Sequence, residues 1–583
     1  MIDKRLFLAF TLSGLVVVAT PFLFPRAKVP PAPAVTVSGD SLRPAAEAGA
    51  AAAPAPAGTS ASAQATGAPA NSAGAPVAGA GAPATGAGAA AGGTAAAPAA
   101  GVPRIAAETI AVNTTVSHTH FSTLGAAPVL VELPGFKNLG ATPGGVSIYQ
   151  KNEPLLRYRL LAGNDTLDLS KMTFRTTRAT RASGEQELTF HATSGATDVT
   201  LQYAMQDTTY LGTVKATVRG AAAPAFLLVD LPTGFVSQEG DTMGDITSLA
   251  YAVKPQKSGA KGIAFTKLDP GEQRLEPGPM YWATAKNKYF IVGMLAPEKA
   301  PTIAEVKFEG GTRTSKMATR GKATAVLPLA ADGTTTFDLY TGPQTWERMR
   351  ALGRDFENAN PYGGFMQGIV QPFATIVMRA LLWMKRTTQL NYGWVLVIFG
   401  VAIRLLMWPL NQKAMRASMK LQVLQPELQA VQAKYKSDPQ KQQAEIMKLY
   451  SEHGMSPLSP LLGCLPMLLP MPILFALFFV FQNTIEFRGV AFMWLPDISL
   501  KDPYYVLPLL MGASMYVLSW IGLRNAPPNP QAKMMAYLMP AMMTFFLINF
   551  ASGLNLYYTV QNLAALPQQW LIANERLKKT KTG

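Results

Sequence analysis

One arginine stands alone among the long apolar stretches of this chain. Arg404 lies in Val395–Pro409, VLVIFGVAIRLLMWP, and the other long apolar stretches past residue 390 contain no Asp, Glu, Lys, Arg or His. A guanidinium carries a permanent positive charge and five N–H donors, so its chemistry is the capture of carboxylates and other acceptors. Placing it at the centre of a lipid-facing helix costs about 2.5–3.5 kcal/mol. No carboxylate in a neighbouring stretch offsets that cost. Two accounts remain: a water-filled cavity inside the membrane, or snorkelling to the inner surface. Arg404 is about 6 residues, or ~9 Å, from the inner end of its stretch, within reach of headgroups for a long side chain.

The last stretch carries the other candidate groups. Ser552, Asn555, Tyr557, Tyr558, Thr559, Gln561 and Asn562 form a polar stripe. Such a stripe bonds one helix to another or lines a groove. Pro460, Pro466, Pro470 and Pro472 interrupt the stretch LSPLLGCLPMLLPMPILF. Each removes a backbone bond, so this segment is kinked, and its freed carbonyls seek donors from a wet groove or from Arg404. Met534, Met535, Met539, Met542 and Met543, with Met467 and Met471, supply flexible thioethers. These suit a wall that accepts varied apolar partners, and equally the filling of gaps between helices.

Covalent chemistry has little support. There is no phosphate-binding glycine loop, no HExxH, no Gly-x-Ser-x-Gly and no cysteine cluster, the chain having one Cys, Cys464. His118 and His120 alternate on one strand face, as ligands or as solvated side chains. The expectation is no enzyme, no catalytic residue, no cofactor and no metal. The net charge of +16 belongs to the flanks of apolar stretches rather than to an arginine-rich or zinc motif, which argues against specific DNA binding.

The elements that position these residues follow from composition. Residues 1–25 combine Lys4 and Arg5 with an apolar run, which reads as an uncleaved membrane anchor more readily than as a cleaved signal peptide. Residues 26–104 are nearly all Ala, Gly, Pro, Ser and Thr, the composition of a disordered tether. Residues 105–345 alternate apolar and polar residues in short runs at 129–133, 187–191, 198–205, 213–219, 226–231, 288–295, 323–329 and 335–340. Turn residues separate them, which predicts an antiparallel β-sandwich. Residues 346–390 are a connector and an amphipathic helix whose apolar positions are Ile369, Phe373, Ile376, Ala380 and Met384, lying on the membrane surface. Five spans are predicted at 391–410, 461–482, 505–522, 534–550 and 553–573, making a core over 391–575 and six spans with the anchor.

Charge orients them. With the N-terminus inside, every predicted inner segment is the basic one: 411–460, 523–533 and the tail 576–583. Both termini then lie inside and the β-domain outside. Segment 411–460 reads as a helical hairpin with one stripe at Leu421, Leu424, Leu428, Val431 and Tyr435 and a second at Ile446, Leu449 and Tyr450. Pro426 is placed at the start of its first helix. Lys413, Arg416, Lys420, Lys434 and Lys436 form a basic surface suited to a ribosome or to lipid headgroups.

The chain resembles the YidC family of membrane protein insertases from Gram-negative inner membranes. The resemblance rests on NYGWVLVIFGVAIRLLMWPL, LQPELQAVQAKY, GCLPMLLPMPILFALF, DPYYVLPLLMG and SGLNLYY, in that order. It implies a mutarotase-like fold for the β-domain and a hydrophilic groove open to cytoplasm and lipid. It also implies an insertase and chaperone for nascent inner-membrane proteins, alone or with the Sec translocon. Arg404 matches the family's groove arginine, and Tyr557 and Tyr558 its paired tyrosines, with Asn555 and Gln561 as further groove candidates. Pro470 and Gly400 depart from polar residues usual at those places, which predicts a less polar groove. The alternative reading is a small-solute transporter or channel, which would call for inverted repeats and paired mid-membrane charges. An anchored sugar-acting enzyme would call for clustered carboxylates on β-domain loops.

Overall fold

The computed structural model describes residues 107–181, 184–297, 302–314, 317–360, 367–454, 471–524 and 530–582. The expected anchor at 1–25, the tether at 26–104 and Pro460, Pro466 and Pro470 lie outside them.

Alternation of apolar residues builds the β-domain. In strand Thr197–Met205, Val199, Leu201 and Tyr203 are fully buried while the residues between them are not. The strand pairs antiparallel with Gln186–Ser194 and Leu211–Arg219, which bury Leu188, Phe190, Val214 and Ala216 on the same side. It belongs to a 14-stranded sheet. A 4-stranded sheet, from Thr109–Asn113 to Gly145–Tyr149, packs against that one. Phe121 of the smaller sheet meets Tyr203 of the larger at 4.7 Å between ring centroids and Phe190 at 6.0 Å. The Tyr203 hydroxyl bonds the Ala126 carbonyl at 2.8 Å and Tyr158 Oη at 2.7 Å, so its burial leaves no polar atom stranded. The domain is thus an all-β antiparallel sandwich. All eight expected strands are present within a few residues. Others were not foreseen, such as Gln273–Lys286. Its Pro277, Gly278 and Pro279 sit where the pairing register shifts, between Pro277 and Met280.

The rest of the described chain is helical: α1 (Thr242–Thr247) and α2 (Trp346–Ala351) in and after the sandwich, then α3 (Gln367–Thr388), α4 (Tyr392–Val423), α5 (Gln425–Lys434), α6 (Pro439–Glu452), α7 (Met471–Asn483), α8 (Val506–Leu523), α9 (Pro530–Leu547) and α10 (Ser552–Thr582). Helices α3 and α7 pack together, as do α4 with α10, α8 with α10, and α8 with α9. Among the described residues, two helices are long and apolar enough to cross a membrane, Tyr392–Lys413 and Val506–Leu523, with shorter apolar helices at Ile473–Asn483 and Lys533–Leu547. The expected count of six is therefore not reached here. The stretch 461–482 is described only from residue 471, and the Asn and Gln residues of α10 make that helix too polar to qualify.

One further expectation is corrected. Segment 411–423 is the continuation of α4, not part of the hairpin, because nothing at Asn411–Lys413 ends a helix. The hairpin is α5 and α6 alone. Pro426 is in the first turn of α5, and Asp438 caps α6, its carboxylate accepting from the Lys441 N–H at 3.1 Å. In α3 the buried face is Val370, Ala374, Val377, Met378 and Leu381, while the predicted stripe residues Phe373 and Ile376 are exposed together with Trp383. The helix is apolar on two faces. One lies on α7, and the other is exposed.

The sandwich and the helices share a polar joint. Arg488, in the loop after α7, donates from Nε to both oxygens of Glu239 at 2.9 and 2.8 Å, both side chains being buried. Tyr289 Oη donates to Ser499 Oγ at 3.1 Å, and Asn360 Nδ2 to the Asn483 carbonyl at 3.1 Å. Ile485 inserts into the sandwich core. Beside it, Glu486 accepts the Trp346 N–H at 3.1 Å. Burial pushes the Glu486 carboxyl up to about 7, opposed by that hydrogen bond and reinforced by Glu347. The folded chain therefore keeps a proton that an unfolded one loses near 4.5. Stability from this group is complete below pH 4.5 and is lost as pH rises to about 7. The loss is on the order of 3 kcal/mol. Glu486→Gln should flatten that part of the melting temperature against pH and raise the melting point at pH 8. Thermal unfolding of the purified protein across pH checks this.

Candidate functional site

Helical spacing puts Trp394, Val397, Val401, Arg404, Leu405 and Trp408 on one face of α4. Leu556, Thr559, Val560, Leu563 and Pro567 do the same on α10. Between the two faces lies a cavity of about 510 Å³, roofed by Phe492, Met493, Trp494 and Leu495. Asp502 fixes that roof: it is fully buried and accepts from Trp494 Nε1 at 3.2 Å and from the Leu507 N–H at 2.7 Å. The helices come close because Gly400 is on the α4 side, where an added Cβ would stand 3.0 Å from Val560 Cγ1.

Arg404 is the charged group in this cavity. Its Nη2 donates to Gln568 Oε1 at 2.9 Å, and Gln568 Nε2 donates to the Trp408 carbonyl at 2.8 Å. Gln568 is 1% exposed, so one amide clamps the guanidinium to the wall from which it projects. Arg404 Nε is buried and has no hydrogen-bond partner among the described residues. The guanidinium is thus oriented and still holds a free donor.

The other predicted site residues are placed differently. Gln561 Nε2 donates to the Gly400 carbonyl at 2.8 Å and lies 3.0 Å from Tyr557 Oη. Tyr557 is 2% exposed and packs on Phe399, ring centroids 6.1 Å apart, while Tyr558 is half-buried behind it. Asn555 is fully buried and bonds the Leu547 carbonyl at 3.1 Å. These side chains fasten α10 to α4 and α9 and do not line the cavity. Its described walls are mainly apolar, with Arg404 and Thr559 as their polar members. Gln568 was missed, although it lies two turns beyond Gln561 on the same helix face, which was the available signal.

In the basic set, Lys413, Lys434 and Lys436 are exposed, and the Lys420 side chain lies outside the described residues. Arg416 is not a free basic group: its Nη2 pairs with Glu575 of α10 at 2.9 Å. His118 and His120 approach Glu132 at 3.6 and 4.0 Å. No group of three or more His, Cys, Asp or Glu able to hold a metal occurs among the described residues.

Two family models match: "60Kd inner membrane protein" over residues 383–580 and "YidC periplasmic domain" over residues 109–376. The chain is 30% identical to the membrane protein insertase YidC of Anaeromyxobacter sp. (strain Fw109-5), over 67% of this chain and 69% of that relative. It is 29% identical to the same-named protein of Chlorobaculum parvum, over 81% and 86% of the two chains. Among solved structures, an active YidC insertase with its first transmembrane domain resolved aligns at 18% identity over 79% of this chain and 92% of that one, with a TM-score of 0.33.

Proposed function

The chain belongs to the YidC family of membrane protein insertases, and from that premise we propose that the cavity around Arg404 is where a client enters. The protein is an inner-membrane insertase rather than an enzyme. The observation that carries the site is the guanidinium held by Gln568 inside the cavity between α4 and α10, with Nε unengaged.

The physics of insertion explains the arrangement. A polar segment crossing hydrocarbon loses water at several kcal/mol for each unpaired group. A cavity partway through the membrane shortens the dry path. Arg404 attracts the polar or acidic part of a nascent membrane protein, and the apolar part then leaves along exposed Val401, Leu405 and Leu406 into lipid. Transfer of that apolar surface supplies the driving force. In this reading the chain has six spans, with both termini and the α5–α6 hairpin in the cytoplasm and the sandwich in the periplasm. The exposed Lys413, Lys434 and Lys436 meet a ribosome or anionic lipid headgroups, and the Sec translocon is a partner for some clients. The mainly apolar described walls favour a client segment of low polarity.

A photoreactive residue at Leu405, which lines the cavity, should capture a stalled nascent membrane protein at least fivefold better than one at Leu509 on α8. Both positions are highly exposed, so equal capture would remove the cavity from the pathway.

A further inference from the structure

A second cavity, of about 710 Å³, lies where the sandwich meets the ends of α7, α9 and α10. Its volume is within the range of about 300–1,000 Å³ usual for small-molecule sites. Its lining is mixed, unlike that of the cavity around Arg404. From the sandwich side come Asp241 and Lys288, from the end of α7 Gln482, and from the helix-connecting loops Lys501, Asn549 and Phe550.

Lys288 is unusual. Its side chain is 8% exposed, and its ammonium is 3.9 Å from Asp241 Oδ2, beyond hydrogen-bond length. The other carboxylates nearby are engaged. Asp245 accepts from the Lys288 and Asn287 N–H groups at 3.1 and 3.3 Å, and Glu239 holds Arg488. Asp241 Oδ1 is taken by the Gly244 N–H at 2.9 Å. The ammonium lies 5.2 Å from the Tyr289 ring centroid but makes no hydrogen bond to an acceptor among the described residues, so it can take one from a ligand. Lys501, exposed on the same cavity, doubles the attraction for an anion. Asp241 Oδ2, with the side-chain carbonyls of Asn549 and Gln482, offers acceptors for an ammonium donor. The site therefore suits a ligand with a phosphate at one end and a primary amine at the other.

The surroundings say what carries that headgroup. Phe550 lines the cavity, and Phe546, one turn before it, packs against it at a tilt with ring centroids 5.2 Å apart. Phe478 of α7 meets Phe550 at 5.2 Å. Phe545 and Phe546 are 82% and 64% exposed, so an apolar track leaves the cavity along α9. We propose that this cavity binds an amine-bearing zwitterionic phospholipid, its phosphate on Lys288 and Lys501, its ammonium on Asp241 and its acyl chains along Phe550 and Phe546. The site is separate from the client cavity and does not depend on its role.

The test uses the full chain in nanodiscs holding trace photoreactive phosphatidylethanolamine or phosphatidylcholine, with labelled peptides mapped by mass spectrometry. The ethanolamine lipid should label 481–482, 496–503 or 549–551 at least fivefold more than the choline lipid, whose methylated ammonium donates no hydrogen bond. Lys501→Glu, on an exposed side chain, should cut that label at least fivefold. Asp241→Asn, which retains the helix cap, should abolish the preference for the amine. Equal labelling by both lipids, labelling confined to other segments, or capture of a nascent client at Asn549 in place of lipid would overturn the proposal.

Discussion

Arg404→Ala should lower insertion of clients whose translocated segment carries an acidic residue by about tenfold, and leave clients with an uncharged segment within about twofold. Tenfold corresponds to about 1.4 kcal/mol. Two unit charges at 4 Å attract by about 4 kcal/mol at an effective dielectric constant of 20 and by about 1 kcal/mol in bulk water. A half-buried guanidinium beside a cavity falls between these limits. Arg404→Lys should recover part of the loss, because charge returns without the fork that holds Gln568 and leaves Nε free. Gln568→Leu should cost less than Arg404→Ala, since the charge remains and only its orientation is lost. Pulse-labelled insertion of paired clients differing by one acidic residue measures all three. If Arg404→Ala affects both clients equally, the residue supports structure and does not receive clients.

Arg488→Met should loosen the joint between the sandwich and the helices by about 1–3 kcal/mol, the range for leaving a buried polar group without its partner. Burial already pushes the Glu239 carboxyl up to about 7 against the pull of Arg488, so without Arg488 it would take up a proton and stay unpaired in a site where its side chain is 5% exposed. Arg488 also lies over the rings of Tyr289 and Phe290, 5.8 and 5.5 Å from their centroids, so Arg488→Lys should not restore the joint. Adding Glu239→Leu to Arg488→Met should recover much of the loss, because the stranded carboxyl is gone. Thermal unfolding and protease cleavage within 484–502 report the effect. A single variant as stable as the parent would show that the pair is incidental.

The sequence disclosed the parts of this molecule that depend on local pattern. Helices α4, α8 and α10 begin within a residue of the predicted 391, 505 and 553 because long apolar runs announce themselves. Strands with strict alternation, such as Thr197–Met205, were equally plain. What stayed hidden depends on partners far along the chain. Glu239 and Arg488 are 249 residues apart, and no spacing rule joins them. Helix α3 has two apolar faces, and only the position of α7 decides which is buried. Asn555, Tyr557 and Gln561 were legible as polar residues in an apolar helix, but not their direction. They bond carbonyls or other side chains of the bundle, so the cavity lining is less polar than their number suggested.

Helix α4 carries Arg404, and further along its length Pro409 and Arg416. Proline offers no N–H to the turn before it, so the rod has a soft point just over one turn past the guanidinium. Beyond that point the Arg416–Glu575 clasp ties α4 to α10. Motion of the hairpin therefore reaches the guanidinium through a held wrist. A load on α5 and α6 is thus shared with α10 before it reaches Arg404.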